Sequence, residues 1–164
     1  MSEIRAATEA DLPAILAIYN DAVLKTTAIW NDTPADLGNR RAWFEARRAL
    51  SYPVLVGELG GSVAAYASFG DFRPFEGYRH TVEHSVYVAE TARGRGLATR
   101  LVEGLIERAR ALDKHVIVGG IASDNIASLA LHKRLGFVET AHMPEIGRKF
   151  GRWLDLVFVQ KILN

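Results

Sequence analysis

A short run of glycines and arginines in the middle of the chain has the composition of a phosphate-binding loop. It reads Ala89-Glu90-Thr91-Ala92-Arg93-Gly94-Arg95-Gly96, and Leu97-Ala98-Thr99 follow at the expected start of a helix. Two glycines allow a tight turn and a close approach of the backbone to a ligand. The free N–H groups of a helix N-terminus favour a phosphate, and the arginines add positive charge at the same end. A solvated glycine-rich turn is the alternative interpretation of this run.

A dinucleotide-binding fingerprint is another interpretation of Gly94-x-Gly96-x-x-Thr99, and it fits poorly. Residues 89–93 separate the preceding strand from the first glycine, and the unit is central rather than N-terminal. No acidic residue closes the next strand near Val118, where a ribose would need one.

The composition predicts one globular domain, residues 1–164, with a small-molecule partner. The chain is 49% hydrophobic and 24% charged, and its net charge of +1 argues against non-specific nucleic-acid binding. No apolar run reaches the roughly 18 residues that cross a bilayer, and the N-terminus lacks the apolar block of a signal peptide. Because the chain has no cysteine, disulfides, thiolate metal sites and a cysteine nucleophile are excluded. We therefore expect a cytoplasmic protein that binds neither nucleic acid nor membranes.

The segments around the glycine-arginine loop predict a mixed α/β sheet in the order β-α-α-β-β-β-α-β-α-β-β. The predicted strands are Ile4–Ala6, Val54–Val56, Val63–Phe69, Thr81–Val88, Val116–Val118, Phe137–Glu139 and Trp153–Ile162. Helices are predicted over about 12–23, 37–50, 97–109 and 125–135. Thr8 and Asp11 approximate a capping box, Gly60-Gly61 forms a hairpin turn, and Gly136 ends the last helix. A strand–loop–helix–strand crossover therefore places the glycine-arginine loop at the end of the central strand.

Two motifs in this crossover carry a family resemblance. Arg93-x-x-Gly96-x-Ala98 resembles the Q/R-x-x-G-x-G/A motif of the GNAT superfamily of N-acetyltransferases. Downstream, the segment from Asn125 to Phe137, with Ser128 and Leu131-His132, is similar to the family's N-x-x-A-x-x-L-Y-x-x-x-G-F pattern. The resemblance implies a mostly antiparallel mixed sheet flanked by helices, in which the strand before the motif carries a bulge and diverges from its neighbour. It also implies acetyl-CoA as cosubstrate.

The resemblance assigns a set of residues to acetyl-CoA. The backbone of Val86, Tyr87 and Val88 would pair with pantetheine, and Arg93 would open the pyrophosphate motif. The pyrophosphate would bind the N–H groups of Gly94, Arg95, Gly96, Leu97, Ala98 and Thr99. Asn125 would hydrogen-bond the pantetheine arm. Arg134 would lie near the 3′-phosphate, with a solvated helix face as the alternative.

Two residues are predicted to be catalytic. An amine reaches the enzyme as an ammonium ion and must lose a proton before it attacks a thioester, and Glu83 is the expected base. A structural carboxylate in a buried network is the alternative. His132 stands where many members have the Tyr that protonates the departing thiolate. An imidazole can supply that proton, although a packing histidine is the other interpretation.

Two other arrangements of the same residues are rejected. Glu83-His84-Ser85 has the residue types of a hydrolase triad, but consecutive strand residues face opposite ways and there is no G-x-S-x-G elbow. His80 and His84 have metal-like spacing only on a helix, and no third ligand accompanies them. We therefore expect no metal site.

The segment before the motif is more specific about the acceptor. Residues 73–88, which include Thr81-Val82-Glu83-His84-Ser85-Val86-Tyr87-Val88, closely resemble the phosphinothricin acetyltransferase branch, and residues 27–32 and 147–156 resemble the subgroup that acts on L-methionine sulfoximine and L-methionine sulfone. A small amino acid of this kind needs a cation for its carboxylate, polar donors and aromatic walls. The predicted substrate-binding residues are Trp30, Arg73, Pro74, Phe75, Arg79, Glu83, His84, Ser85 and Tyr87.

Two further hypotheses stay open at this point. A protein N-acetyltransferase would need an open groove, whereas the loops of Trp30 and Phe75 suggest a small capped pocket. A non-catalytic acyl-CoA sensor would not need Glu83 and Asn125. The branch is commonly dimeric, so the resemblance implies a homodimer in which Lys149–Arg152 closes the partner's site.

Overall fold

The computed structural model describes residues 1–164, and its elements follow the predicted order. The strands are β1 (Ser2–Ala6), β2 (Val54–Leu59), β3 (Ser62–Asp71), β4 (Thr81–Val88), β5 (Val116–Ala122), β6 (Val138–Lys149) and β7 (Arg152–Ile162). The helices are α1 (Leu12–Lys25), α2 (Leu37–Ala49), α3 (Leu97–Ala111) and α4 (Ile126–Arg134). No helix is long and apolar enough to span a membrane.

Local signals set several of these boundaries. The Thr8 amide donates to Asp11 Oδ2 at 2.7 Å ahead of α1, which confirms the predicted box. Asp36 caps α2 by accepting from the Asn39 amide at 2.8 Å. Gly60 and Gly61 have φ of +60° and +81°, as a two-residue hairpin between β2 and β3 requires.

All seven strands form one sheet in the order β1-β2-β3-β4-β5-β7-β6. Only β4 and β5 are parallel, because α3 carries the chain across between them. One apolar cluster packs α3 on one face of the sheet, around Phe69, Leu101 and Ile117, and a second packs α1 and α2 on the other, around Ile15, Phe44 and Tyr66. The sheet therefore lies between two helical layers, and its parallel pair is central.

The parallel pair separates halfway along β4. Pairing with β5 runs from Thr81–Val116 to His84–Gly119, while Ser85–Val88 pair only with β3. This confirms the predicted divergence. The predicted bulge is absent, because β3 and β4 pair without a register shift from Asp71–Val82 to Ala65–Val88. Strand parity therefore holds, and Glu83, Ser85 and Tyr87 share one face while His84 lies on the other.

The last hairpin is longer than predicted. Strand β6 continues to Lys149 instead of ending at Glu139, and β7 begins at Arg152. β6 is an edge strand with mostly exposed residues and register shifts at 139–141 and 143–147, so it lacks the alternation by which strands are recognised. Its pairing with β7, rather than its own pattern, makes it a strand.

Candidate active site

The glycine-arginine loop turns directly into α3. Gly94 and Gly96 have φ of +73° and +77°, in the left-handed region that favours glycine. The Arg100 amide makes the first helical bond, to the Gly96 carbonyl at 3.2 Å. The amides of residues 97–99 precede that bond and have no helical acceptor, so they can bind an anion.

These amides face a cavity of about 980 Å³. Every residue that the sequence assigns to acetyl-CoA lines it except Arg95. The wall also includes residues to which the sequence analysis gave no role in acetyl-CoA binding, from α1 and the following loop, from α4 and from the last hairpin: Ile18, Ala22, Thr26, Thr27, Ala28, Ser128, Leu131, Phe150 and Arg152. A second cavity of about 670 Å³ lies near the C-terminal ends of α2 and α3, and none of the predicted site residues lines it.

The positive charges around the cavity differ in their availability. Arg152 pairs with Asp124 at 2.9 Å, and Lys25 pairs with Asp21 at 3.3 Å. Arg100 donates to the Ser2 carbonyl and hydroxyl, which fixes α3 to β1. Arg93 and Arg134 line the cavity without a carboxylate within ion-pair distance. They are the cations best placed for phosphates.

Asn125, the residue before α4, both caps that helix and lines the cavity. Its Oδ1 accepts from the Ser128 amide at 3.2 Å and so caps the helix. Its side chain also lines the cavity, and the carboxamide N–H donors remain available to a ligand. The cap fixes the orientation of the donor.

Glu83 lies where β4 and β5 begin to separate. The Glu83 carboxylate lies over Gly120 of β5, where a Cβ would be 3.4 Å from Oε2. The side chains of Leu156 and Phe158 are close to the same glycine. Burial among these groups raises the pKa of the carboxyl, and the nearby charge of Arg73 partly offsets this. Glu83 itself does not line the cavity; it precedes Val86 by three residues, about 10 Å along the strand.

The structure separates the other predicted acceptor residues. Arg73 acts on Glu83, whereas Arg79 donates to the Glu76 carbonyl at 3.0 Å within its own turn. Pro74 and Phe75 are exposed, the latter at 72%. Of the whole acceptor set, only Tyr87 lines the large cavity, where its ring packs 5.3 Å from that of Tyr66.

The loop after α1 is fixed to the last hairpin of the same chain. Lys149 is 2% exposed, and its Nζ donates to the carbonyls of Thr26 and Ile29. The ring of Trp30 packs on Gly147, and its Nε1 donates to Thr27 O at 2.8 Å. Phe150 and Arg152 of this hairpin line the cavity of their own chain, and closure of a partner's site by Lys149–Arg152 stays a prediction.

A half-buried cation near Glu83, in addition to the exposed Arg73, was missed by sequence reasoning. Arg47 of α2 lies against Gly70, the cross-strand partner of Glu83, and its Nε donates to the Ser68 hydroxyl at 3.1 Å. Burial lowers the pKa of Arg47, and Arg40 lowers it further. Its position on the inward side of α2 follows from tertiary packing, and no local motif marks it.

His132 does not line the cavity. Its ring is 2% exposed, and it contacts His84 from the opposite face of β4 to Glu83. His84 is 6% exposed and packs on Phe137, so the prediction that it binds substrate has no support in its position. Ser128 and Leu131, from the turn of α4 before His132, reach the cavity instead.

Comparison with known proteins agrees with this geometry. The profile of the acetyltransferase (GNAT) family matches residues 15–137. The chain belongs to the GNAT family. It is 61% identical, over 99% of its length and 95% of the other chain, to the L-methionine sulfoximine/L-methionine sulfone acetyltransferase of Pseudomonas paraeruginosa. It is 38% identical to the phosphinothricin N-acetyltransferase of Alcaligenes faecalis, over 98% of this chain and 82% of the other.

Solved GNAT-like structures extend the match to the whole fold. The yncA protein of Salmonella typhimurium, solved with its cofactor acetyl-CoA, has a TM-score of 0.97 and 57% identity, covering 99% of this chain and 94% of the other. The ribosomal-protein-alanine N-acetyltransferase of Brucella melitensis has a TM-score of 0.96 and 58% identity, covering 98% and 99%. The fold of this chain is thus shared with both of these solved proteins.

Proposed function

We propose that this protein transfers the acetyl group of acetyl-CoA to the α-amino group of a small amino acid with a tetrahedral polar head. L-Methionine sulfoximine, L-methionine sulfone and phosphinothricin are such acceptors. The observation that carries the proposal is the half-buried Glu83 carboxyl, which feels the charge of Arg73 and lies where β4 separates from β5, on the strand whose residues 86–88 line the large cavity. The names of the relatives support the choice of acceptor.

The cavity accounts for binding of the cosubstrate. The amides at the start of α3 would hold the pyrophosphate, and Arg93 would add charge. The β4 edge from Ser85 to Val88 has no partner strand on the β5 side, so its polar groups can pair with the amides of pantetheine. Arg134 would contact the 3′-phosphate.

Glu83 would remove the proton from the acceptor's ammonium group. A carboxyl with a raised pKa retains a proton more readily than an ordinary one, which suits a base that works near neutral pH. The amine nitrogen then attacks the thioester carbon, the C–S bond breaks, and the amide forms. The departing sulfur receives a proton, for which His132 is the proposed source.

The acceptor would be held by cations and aromatic walls around Glu83. Arg73 is the proposed partner of the α-carboxylate, because a guanidinium binds a carboxylate through two hydrogen bonds. Tyr87 forms one wall within the cavity. The ring of Trp30 packs on Gly147 of β6 and so holds the neighbouring loop in place. Ser85, on the Glu83 face of β4, supplies a hydroxyl for the polar head.

The test is thiol release from acetyl-CoA by the purified protein. The acceptor panel contains methionine sulfone, methionine sulfoximine, phosphinothricin, plain amino acids, polyamines and a peptide with an N-terminal alanine. Saturable turnover confined to the first three supports the proposal. Turnover of the peptide alone would instead support the protein-acetylating alternative, which the relative from Brucella melitensis favours. Acetyl-CoA binding without turnover of any acceptor would indicate a sensor.

We also propose a homodimer. The last hairpin exposes Ile146 at 50%, Phe150 at 57% and Trp153 at 58%, an apolar surface that a second copy could cover. Light scattering coupled to size-exclusion chromatography measures the mass. A Trp153→Glu variant should shift the mass from two chains to one, and a wild-type mass of one chain would reject the dimer.

A further inference from the structure

Two buried imidazoles form a chain of three short contacts. His84 Nε2 lies 2.9 Å from His132 Nε2. His84 Nδ1 lies 2.9 Å from the Val118 carbonyl, and His132 Nδ1 lies 2.7 Å from the Ser128 carbonyl. A carbonyl only accepts, so both Nδ1 atoms must carry hydrogen. A neutral imidazole has one N–H, and two neutral rings therefore supply two hydrogens for three contacts.

The surroundings of the pair decide how the third contact is made. Both rings pack against the ring of Phe137. The ring of His84 also lies directly over Gly119, where a Cβ would collide with it. No carboxylate forms a hydrogen bond with either ring. Glu83 faces the other side of β4, and Lys161 of β7 lies at Gly136, beyond α4.

Two physical effects oppose each other here. Burial lowers the pKa of both rings and, acting alone, would keep them neutral. A neutral pair, however, would place two nitrogen lone pairs 2.9 Å apart with no hydrogen between them. A proton shared between the two Nε2 atoms removes that repulsion and spreads the charge over two rings.

Ser128 connects the pair to the cavity. Its hydroxyl lies 3.4 Å from His132 Nδ1, next to the carbonyl that Nδ1 contacts, and its side chain belongs to the cavity wall. Since His132 does not line the cavity, it can exchange a proton with a ligand only through an intermediary. The Ser128 hydroxyl can both donate and accept, as such an intermediary must.

We propose that His84 and His132 hold one shared proton and pass it through the Ser128 hydroxyl to the sulfur that leaves in the acetyl-transfer reaction. This inference rests on the proposed function and adds His84 as a positioning residue and Ser128 as a catalytic one. In the step, Ser128 O–H gives its proton to the thiolate, His132 Nδ1–H reprotonates the serine oxygen, and the shared proton becomes the N–H of a neutral ring. Solvent later returns one proton to the pair.

The proton count is measured first, because it does not depend on any acceptor. Nitrogen-15 NMR of histidine-labelled protein at pH 7 should show hydrogen on both Nδ1 atoms and a third hydrogen shared between the Nε2 atoms. His84→Gln should leave His132 neutral, since a glutamine amide can donate to Nε2 without an added proton. Two hydrogens in the wild-type pair would overturn the inference.

Kinetics with whichever acceptor the wild type uses then test the path. His84→Gln and Ser128→Ala should each lower kcat at least about tenfold, with the KM for acetyl-CoA within about twofold. The double variant should be little worse than the poorer single variant, because the residues act in one path. His115→Gln, at an exposed histidine outside the pair, should match the wild type.

The glutamine variant separates proton sharing from simple support. If His84 only held the ring of His132 in place, His84→Gln would restore wild-type kcat while His84→Leu would not, and that result would overturn the inference. Thermal melting of each variant shows whether it is folded. A wild type inactive on every amino-acid acceptor would reject the proposed function, yet the NMR proton count would still decide whether the pair shares a proton.

Discussion

The proposed phosphate end of the cavity is formed by backbone amides of one continuous segment, 93–99, whereas the proposed acceptor end, beside the cavity, depends on side chains from separate elements. Two left-handed glycines and a helix start are enough to build the first. The second, as proposed, would combine Glu83 from β4, Arg73 from the loop before it, Arg47 from α2 and Trp30 from another loop. A family can therefore keep its cosubstrate and change its acceptor by altering a few side chains, and the named acceptors of close relatives do differ.

The largest expected effect is on the acceptor end. Glu83→Gln keeps the size of the side chain but removes the base, so kcat should fall by about 10²-fold or more. Acetyl-CoA affinity, measured by calorimetry, should stay the same because Glu83 lies outside the cosubstrate cavity. An equal loss of affinity would show that the two ends are not separate, and wild-type turnover would exclude Glu83 as the base.

The opposite result is expected at the phosphate end. Gly96→Ala places a Cβ at φ of +77°, which costs about 1–2 kcal/mol and turns the amides of α3 away from their direction. Acetyl-CoA should bind about tenfold or more weakly, which calorimetry measures directly. The matched control is Gly61→Ala, since Gly61 has φ of +81°, open surroundings and no part in the cavity. Both variants should lose similar stability, and an equal loss of affinity in the control would remove the special role of the loop.

The phosphate end could be predicted from sequence, and the acceptor end only in part. Positions 93–99 are consecutive, so their residue types alone fix the turn, the helix start and the free amides. The contact between Trp30 and Gly147 and the anchoring of residues 26 and 29 by Lys149 join segments more than a hundred residues apart. His84 and His132 are 48 residues apart in the chain. To predict their contact, one would have to know both which face of β4 carries His84 and how α4 is rotated against the sheet. Local periodicity predicts the helices and strands but not these long-range contacts.

Arg73 offers a finer test, because its charge acts on Glu83 and, in the proposed complex, would also act on the carboxylate of the acceptor. Glu83 must be deprotonated to act, so activity should fall as the pH drops through its raised pKa. Arg73 lowers that pKa, and Arg73→Gln should therefore move the acidic limb of the kcat profile to higher pH. The KM for the amino acid should also rise, by about tenfold. Arg110→Gln, at an exposed position of α3, is the control. If instead Arg79→Gln raised KM and Arg73→Gln did not, the carboxylate partner would be the other arginine.

The smallest effect on turnover should come from the contact that joins the two ends. Lys149→Met keeps the length of the side chain and leaves the carbonyls of Thr26 and Ile29 without their donor, a loss of about 1–3 kcal/mol in unfolding free energy. The loop of residues 26–30 carries cavity residues at one end and Trp30 at the other. Loosening it should raise both KM values a few-fold and leave kcat nearly unchanged, because the proposed reacting groups are on β4 and α4. Lys133→Met, exposed on α4, controls for loss of charge. A rise in the KM for the acceptor alone would show that this loop serves the acceptor end only, and that the two ends are mechanically as well as chemically distinct.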